Sequence, residues 1–445
     1  MAGLNANEQS SWFDPETGLL DRRVFSDADI YQRELSHIFA RAWNFVAHES
    51  QVAEAGQYFM SYIGEDEVIV VRDRAGKIQV LLNSCTHRGN TVCRAELGKT
   101  RSFLCSYHGW NYDLDGSLIG MPGEDEFYRR NLDKSEWGLN HAAQVESYRG
   151  FVFATMDPAA PPLEEYLGWV GRLGLDMLAS KGELEVLDGI HKNRIQCNWK
   201  LAVDNLYDWY HVKVSHGSAF RLNLMDDVSM SQLQQKVILG AYGHGIGGPH
   251  LTAEEFARLT DRVQAQQGDP EWFDYQAGWR VDANVQEKLG PVGKLSMGHP
   301  NIFPNLWVAL TNQVCLRIPR GPLETELWWI TLLPKGMDEA SRRSAIYGAN
   351  HFFGPAGFLE QDDGENWSHS TRGAKGEVTK RHPVNLSMGL GQDQMTHHVS
   401  GQASIDSVVS EHGQRWTYEN WQAWLQSGSW DELKILKPAI PQDAV

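Results

Sequence analysis

The sequence predicts an α+β fold in two parts, a small antiparallel β domain followed by a larger domain whose antiparallel sheet is flanked by helices. Three observations carry this. From Val52 to about Met156 the chain reads as short β-forming runs, YFMSYI, DEVIVVRD, IQVLLNSC and FVFATM, broken by Gly, Asp and Asn turns such as DLDGS. Beyond Asp157, strand-like and helical pieces alternate. Helical spacing brackets the whole, near residue 30 and again around WTYENWQAWLQ.

In chain order, SDADIYQRELSHIFARAWNFVAH spaces its apolar residues as a single helix from Ile30 to Phe39, with Ser26 as the expected N-cap. The β region follows, and within it NYDLDGSL reads as a hairpin. DPAAPPLEEYLG, from Asp157, has the Pro and Ala content of a linker. Then come strands in LEVLDGIHKNRIQCNWK, a helix in AVDNLYDWYHVKV, strands in NLWVALTNQVCLRIP and TELWWITLLP, and the last helix. GHGIGG, from Gly243, matches a nucleotide-loop string, but Pro249 follows and no strand-turn-helix unit surrounds it. A flexible loop is the expectation there.

Composition narrows the function. Hydrophobic content of 42% and charged content of 22% over 445 residues describe an ordinary globular chain. A net charge of -17 argues against nucleic-acid binding, which needs clustered Lys and Arg. No apolar run approaches the roughly 18 residues of a membrane span, and the amino end lacks a basic-then-apolar segment. Five cysteines, Cys85, Cys93, Cys105, Cys197 and Cys315, are too few for a disulfide framework and suit a reducing compartment, so a cytoplasmic location is expected.

Two constellations carry chemistry. CTHRG and CSYHGW each supply one thiolate and one imidazole: Cys85 with His87, and Cys105 with His108. Soft S2N2 donors suit tetrahedral zinc or an iron–sulfur cluster. Mixed supply from each loop favours a two-iron cluster with sulfur on one iron and nitrogen on the other. Gly89 and Gly109 follow the loops and permit tight turns, while Cys93 falls outside the pattern and is read as a buried free thiol.

The second lies in NWKLAVDNLYDWYHVKVSH. If Leu201 to His211 is helical, Asp204, Asp208 and His211 form one stripe, which His216 joins only if the helix stops or distorts. Two histidines and a carboxylate with open positions make a non-haem Fe(II) triad. The carboxylate must come from elsewhere, and the acidic cluster of FFGPAGFLEQDDGENW is the best candidate. His244, His250, His397 and His398 have no partner at ligand spacing and are expected to be structural or exposed.

The two loops resemble a Rieske [2Fe-2S] domain. Together with NWK, the DN, D and YH that follow, His216, GPAGFLEQDDGENW and MGLGQ, they make nearly the whole chain similar to the large (α) subunit of Rieske aromatic-ring-hydroxylating dioxygenases, of the biphenyl, toluene and naphthalene kind. The resemblance divides the chain into 1–44, a helical segment packing on the catalytic domain; 45–157, the Rieske domain; and 158–445, the catalytic domain. It implies that His211, His216 and Asp363 bind mononuclear Fe(II), with Asp362 one residue out of register, and that Cys85, His87, Cys105 and His108 hold the cluster. It makes Asp208 a bridge between His211 and His108 of a neighbouring subunit, implying a trimeric ring, α3 or α3β3. It assigns Asn205 to the active site.

The implied activity inserts both atoms of O2 into an aromatic ring to give a cis-dihydrodiol, with NADH electrons delivered by a ferredoxin and/or reductase. Leu206, Val212, Phe220, Leu306, Phe353 and Leu359 are the pocket candidates. Arg221 keeps open an aromatic carboxylic acid substrate of the benzoate or cumate type, and a Rieske monooxygenase would share both metal sites.

Overall fold

The computed structural model describes residues 11–222, 234–265, 278–309, 311–354, 357–392, 394–397, 403–406 and 410–439. The chain forms two compact units, one of residues Phe39–Leu163 and one that joins the residues up to Ile38 to those from Glu164 onward.

The first unit is all antiparallel. Strands Ile78–Leu82, Asp66–Arg72, Gln57–Ile63 and Leu97–Lys99 pair in that order, and Gln144–Tyr148, Phe151–Thr155 and Asn44–His48 make a second sheet. A third joins Leu118–Gly120, Asn111–Tyr112 and Phe103–Leu104, which contains the expected hairpin. Met60, Ile69, Val71, Leu81, Phe103, Trp110 and Tyr112 close a core around Cys85 and Cys105. The loops carrying these two cysteines are therefore anchored in packed apolar side chains rather than hung on the surface.

The second unit is built on one antiparallel sheet of ten strands. Its centre runs Thr325–Pro334, Gln313–Pro319, Leu306–Ala309, His299–Ile302, Gly245–His250 and Gln234–Leu239. Helices Glu339–Phe353, Glu360–Ala374 and His412–Gln426 belong to the same unit, and Trp307, Trp329, Phe353 and Trp367 pack into one cluster with Leu206. Glu34 is fully buried here: Lys200 Nζ meets its Oε1 at 2.5 Å, Trp421 Nε1 donates to Oε1 at 2.8 Å and Trp199 Nε1 to Oε2 at 2.7 Å.

Several elements differ from expectation. The first helix is α-helical only over Ala28–Glu34 and continues as a π-turn over Leu35–Phe39; Asp27, not Ser26, caps it by accepting from Asp29 N and Ile30 N. The Pro-Ala stretch runs into a helix, Leu163–Ala179, because Leu163, Tyr166, Leu167 and Val170 bury one face. GHGIGG is not a loop: Gly245–His250 is a wholly buried strand. Its glycines let it lie against Tyr207 and Trp209, since a Cβ on Gly247 would meet Tyr207 Cδ1 at 2.7 Å and one on Gly248 would meet Trp209 Nε1 at 2.6 Å. Among the described residues no helix is long and apolar enough to cross a membrane.

Candidate metal centres

The two cysteine loops are the same turn made twice. Cys85 N–H donates to Asn90 O at 2.9 Å and Gly89 N–H to Cys85 O at 2.8 Å; Cys105 N–H donates to Trp110 O at 2.8 Å and Gly109 N–H to Cys105 O at 3.0 Å. Gly89 and Gly109 both take positive φ, 71° and 73°, which closes each turn without a Cβ clash. The histidine sits two residues after the first cysteine and three after the second, and the rings of His87 and His108 face each other with centroids 4.6 Å apart.

These donors fit a [2Fe-2S] cluster. His87 Nδ1 is buried without a hydrogen-bond partner among the described residues, a cost that a metal bond removes. Burial would raise the Cys105 thiol, but the backbone N–H of Tyr107, the Asn90 amide, Cys85 and the His108 N–H outweigh it and hold the group below its ordinary value. That favours the thiolate, the form that ligates. Cys85 Sγ lies 3.1 Å from Tyr112 Oη, and Trp110 stacks on His87 at 4.9 Å. Cys93 is buried beside Ala95 O, outside the loops.

In the second unit the single expected helix breaks. Leu201–Asp204 is helical, Asn205–Tyr207 is a 3-10 turn, and Asp208 leaves the helical region at φ -94° and ψ 77° before Val212–Ser215 resumes. Asp204, Asp208 and His211 consequently do not share a stripe. Asp204 turns instead to Tyr418, whose Oη donates to its Oδ2 at 2.7 Å. His211 caps the start of Val212–Ser215 and His216 its end, leaving the helical region at φ -98° and ψ 31° just before Gly217, and the two rings converge with Nε2 atoms 3.2 Å apart.

Asp363, in the first turn of helix Glu360–Ala374, completes the group: its Oδ1 lies 3.3 Å from His211 Nε2 and 3.4 Å from His216 Nε2. The three could hold one metal ion. Asp362 reaches only the far nitrogen of His216, Nδ1, at 3.5 Å. Two imidazoles and one carboxylate with free positions suit ferrous iron. Burial would lower His211, but hydrogen bonds from it to Asp208 and Asp363 push it up to about 10, whereas burial keeps His216 below its usual value. A cation here takes the place of the proton that the carboxylates hold on His211.

The same group lines a pocket with Asn205, Leu206, Asp208, Trp209, Val212, Pro249, Met297, His299, Trp307, Thr311, Phe352, Phe353 and Leu359. Leu206, Val212, Phe353, Leu359 and Asn205 are among these lining residues. Phe220 and Leu306 do not line it. Leu306 is off by one residue: alternation along Leu306–Ala309 turns Trp307 to the pocket. Arg221 is exposed and absent from the wall. Met297, His299, Thr311 and Phe352 were not legible in the sequence: His299 needs strand register and Phe352 helix phase, while Met297 and Thr311 lie between regular elements, where no periodicity places a side chain.

His244 is structural, its Nε2 2.9 Å from Tyr166 O and its Nδ1 accepting Phe303 N–H at 3.0 Å. His250 is buried, His397 lies on the strand Gln394–His397, and His398 falls outside the described residues.

A thiolate-imidazole pair of loops in one unit and an open His-His-Asp group in the other define a Rieske-type oxygenase. Residues 42–148 match the Rieske [2Fe-2S] domain family, and residues 179–427 match the ring hydroxylating alpha subunit (catalytic domain) family. The chain is 35% identical to biphenyl 2,3-dioxygenase subunit alpha of Rhodococcus jostii (strain RHA1), over 96% of this chain and 94% of the relative. It is 34% identical to benzene 1,2-dioxygenase subunit alpha of Pseudomonas putida, over 97% of each. The crystal structure of naphthalene 1,2-dioxygenase from Rhodococcus sp. bound to indole superposes with a TM-score of 0.79 at 31% identity, over 92% of this chain and 95% of that one. The chain belongs to the family of Rieske ring-hydroxylating dioxygenase α subunits. Its cofactors are a Rieske [2Fe-2S] cluster and a mononuclear iron.

Proposed function

We propose that this chain is the terminal oxygenase α subunit that inserts both atoms of O2 into a neutral aromatic ring to give a cis-dihydrodiol in aromatic hydrocarbon degradation. NADH supplies the electrons through a ferredoxin and/or reductase. The observation that carries the reading is the open His211, His216 and Asp363 group set directly in the wall of an apolar, aromatic-lined pocket. Iron held by these three residues would supply O2 binding and activation.

The chain's own groups do the rest. Leu206, Val212, Phe353 and Leu359 provide apolar surface for the arene and exclude water. Asp208 orients His211: its backbone carbonyl accepts from Nδ1, and its Oδ1 accepts the His211 backbone N–H at 3.1 Å. Such a partner fixes the tautomer and direction of a ligand histidine. A carboxylate substrate is disfavoured because, among the described lining residues, no Lys or Arg is present to pair with it, while Asp208 is present. In a trimer, α3 or α3β3, Asp208 would also bridge to His108 of the neighbouring subunit, with Cys85, His87, Cys105 and His108 holding the cluster.

Turnover of a panel of arenes and aromatic acids under 18O2, with the reconstituted electron carriers, tests the proposal. Two labelled oxygens in a neutral diol are expected; one labelled atom makes the protein a monooxygenase. Asp208→Ala is expected to keep both metals and lose most turnover. Full activity with normal coupling in that variant would remove Asp208 from this role.

A further inference from the structure

The pocket contains a histidine that neither metal centre uses. His299, at the start of strand His299–Ile302, lines the cavity with its ring against Trp209 at 5.1 Å, Trp307 at 5.5 Å and Phe353 at 6.3 Å. Among the described residues its ring nitrogens make no hydrogen bond, whereas buried His244 in the same unit satisfies both of its own. Burial drives His299 down to about 4, so at neutral pH it is an uncharged imidazole with one donor and one acceptor. Two other polar groups of the wall are already engaged, Trp209 Nε1 donating to Gly247 O at 2.9 Å and Thr311 Oγ1 to Gln313 Oε1 at 3.2 Å, and Trp307 Nε1, buried without a partner among the described residues, can only donate.

A polar group left unmatched in an aromatic wall is costly unless a ligand matches it. A hydroxyl is the smallest neutral substituent that both donates and accepts. Among the described lining residues no Lys or Arg would pair with an ionised substituent. The cavity measures about 110 Å³, smaller than the roughly 150 Å³ of a dry cavity that holds benzene, so the space admits no more than one ring.

We propose that His299 is a specificity-determining residue that hydrogen-bonds a hydroxyl on the substrate, so that the pocket prefers a single-ring phenol to a methyl-bearing arene of the same size. This rests on the arene-oxygenase reading above. The apolar walls alone would favour toluene over phenol, because phenol's hydroxyl must leave water.

Calorimetric binding of phenol and of toluene to the metal-loaded protein under argon tests this without turnover. Wild type is expected to bind phenol at least about tenfold more tightly than toluene, as sites built to match a hydroxyl do. His299→Phe is expected to abolish or invert that ratio, and His299→Gln, which keeps a donor and an acceptor, to retain part of it. Equal or weaker phenol binding by wild type overturns the proposal, as does an unchanged ratio in His299→Phe; should that variant not fold, the wild-type ratio and His299→Gln decide. Failure of the oxygenase reading shows separately, as no 18O in product from either arene by a protein that still prefers phenol.

Discussion

At the scale of residues, adjacent carboxylates and similar histidines receive opposite roles from their surroundings. Asp363 faces both Nε2 atoms of the histidine pair, while Asp362 meets only the Nδ1 of His216. Asp363→Asn is therefore expected to lose nearly all mononuclear iron, and Asp362→Asn to keep at least half, by metal analysis of protein loaded with Fe(II) under argon. His244 yields a pH prediction. Its folded pKa is depressed from 6.5 to about 4 by burial, so the folded state binds fewer protons than the unfolded state between those values. Its contribution is complete above pH 6.5 and is lost as the pH falls toward 4, by up to about 3 kcal/mol. The reason is local: a proton on Nδ1 would confront the Phe303 N–H that it now accepts. His244→Asn is expected to be less stable at pH 7.5, with the gap from wild type narrowing by pH 5 when unfolding midpoints are compared.

At the scale of elements, the sequence disclosed what local chemistry dictates and hid what neighbours impose. The tight turns of the two cysteine loops were legible because Cys-x-His and Cys-x-x-His are each followed by a glycine free to take positive φ. The break at Asp208 was not, because apolar spacing through Leu201–His211 is compatible with a helix and only packing against Gly245–His250 interrupts it. The same packing explains GHGIGG, whose glycines were read as slack and are instead sites of close approach. That Trp307 and not Leu306 faces the pocket is invisible in the sequence, because a strand wholly buried on both faces, as Leu306–Ala309 is, shows no alternation from which to read its register. Gly247→Ala tests the packing. Its Cβ would lie 2.7 Å from Tyr207 Cδ1, 3.1 Å from Tyr207 Cα and 3.2 Å from Leu206 O, mostly backbone that cannot rotate away. The segment carrying Asp208 and His211 must shift, so the variant is expected to lower iron affinity at least tenfold and leave the cluster spectrum intact. Unchanged iron binding would mean that the strand does not set the position of the ligands.

At the scale of the whole molecule, the chain's two ends belong to one unit, with the cluster unit inserted between them in sequence. The residues up to Ile38 are held to the later chain by a group no composition count reveals, the buried Lys200 ammonium against Glu34 with Trp199 and Trp421 donating to the same carboxylate. Burial lowers Lys200, and the adjacent Glu34 carboxylate opposes that shift. Lys200 lies one residue before the helix Leu201–Asp204, which leads into Asp208 and His211. Removing one partner leaves an unmatched buried charge, a loss of about 3–5 kcal/mol, whereas replacing both with apolar residues of similar volume is often nearly neutral. Glu34→Gln is expected to lower the unfolding midpoint of the catalytic unit strongly, and Glu34→Leu with Lys200→Met to recover most of it. Calorimetric scans of the metal-loaded proteins check this. If the double variant is as unstable as the single, the pair's directed hydrogen bonds to Trp199 and Trp421, rather than charge compensation, hold the amino-terminal segment in place.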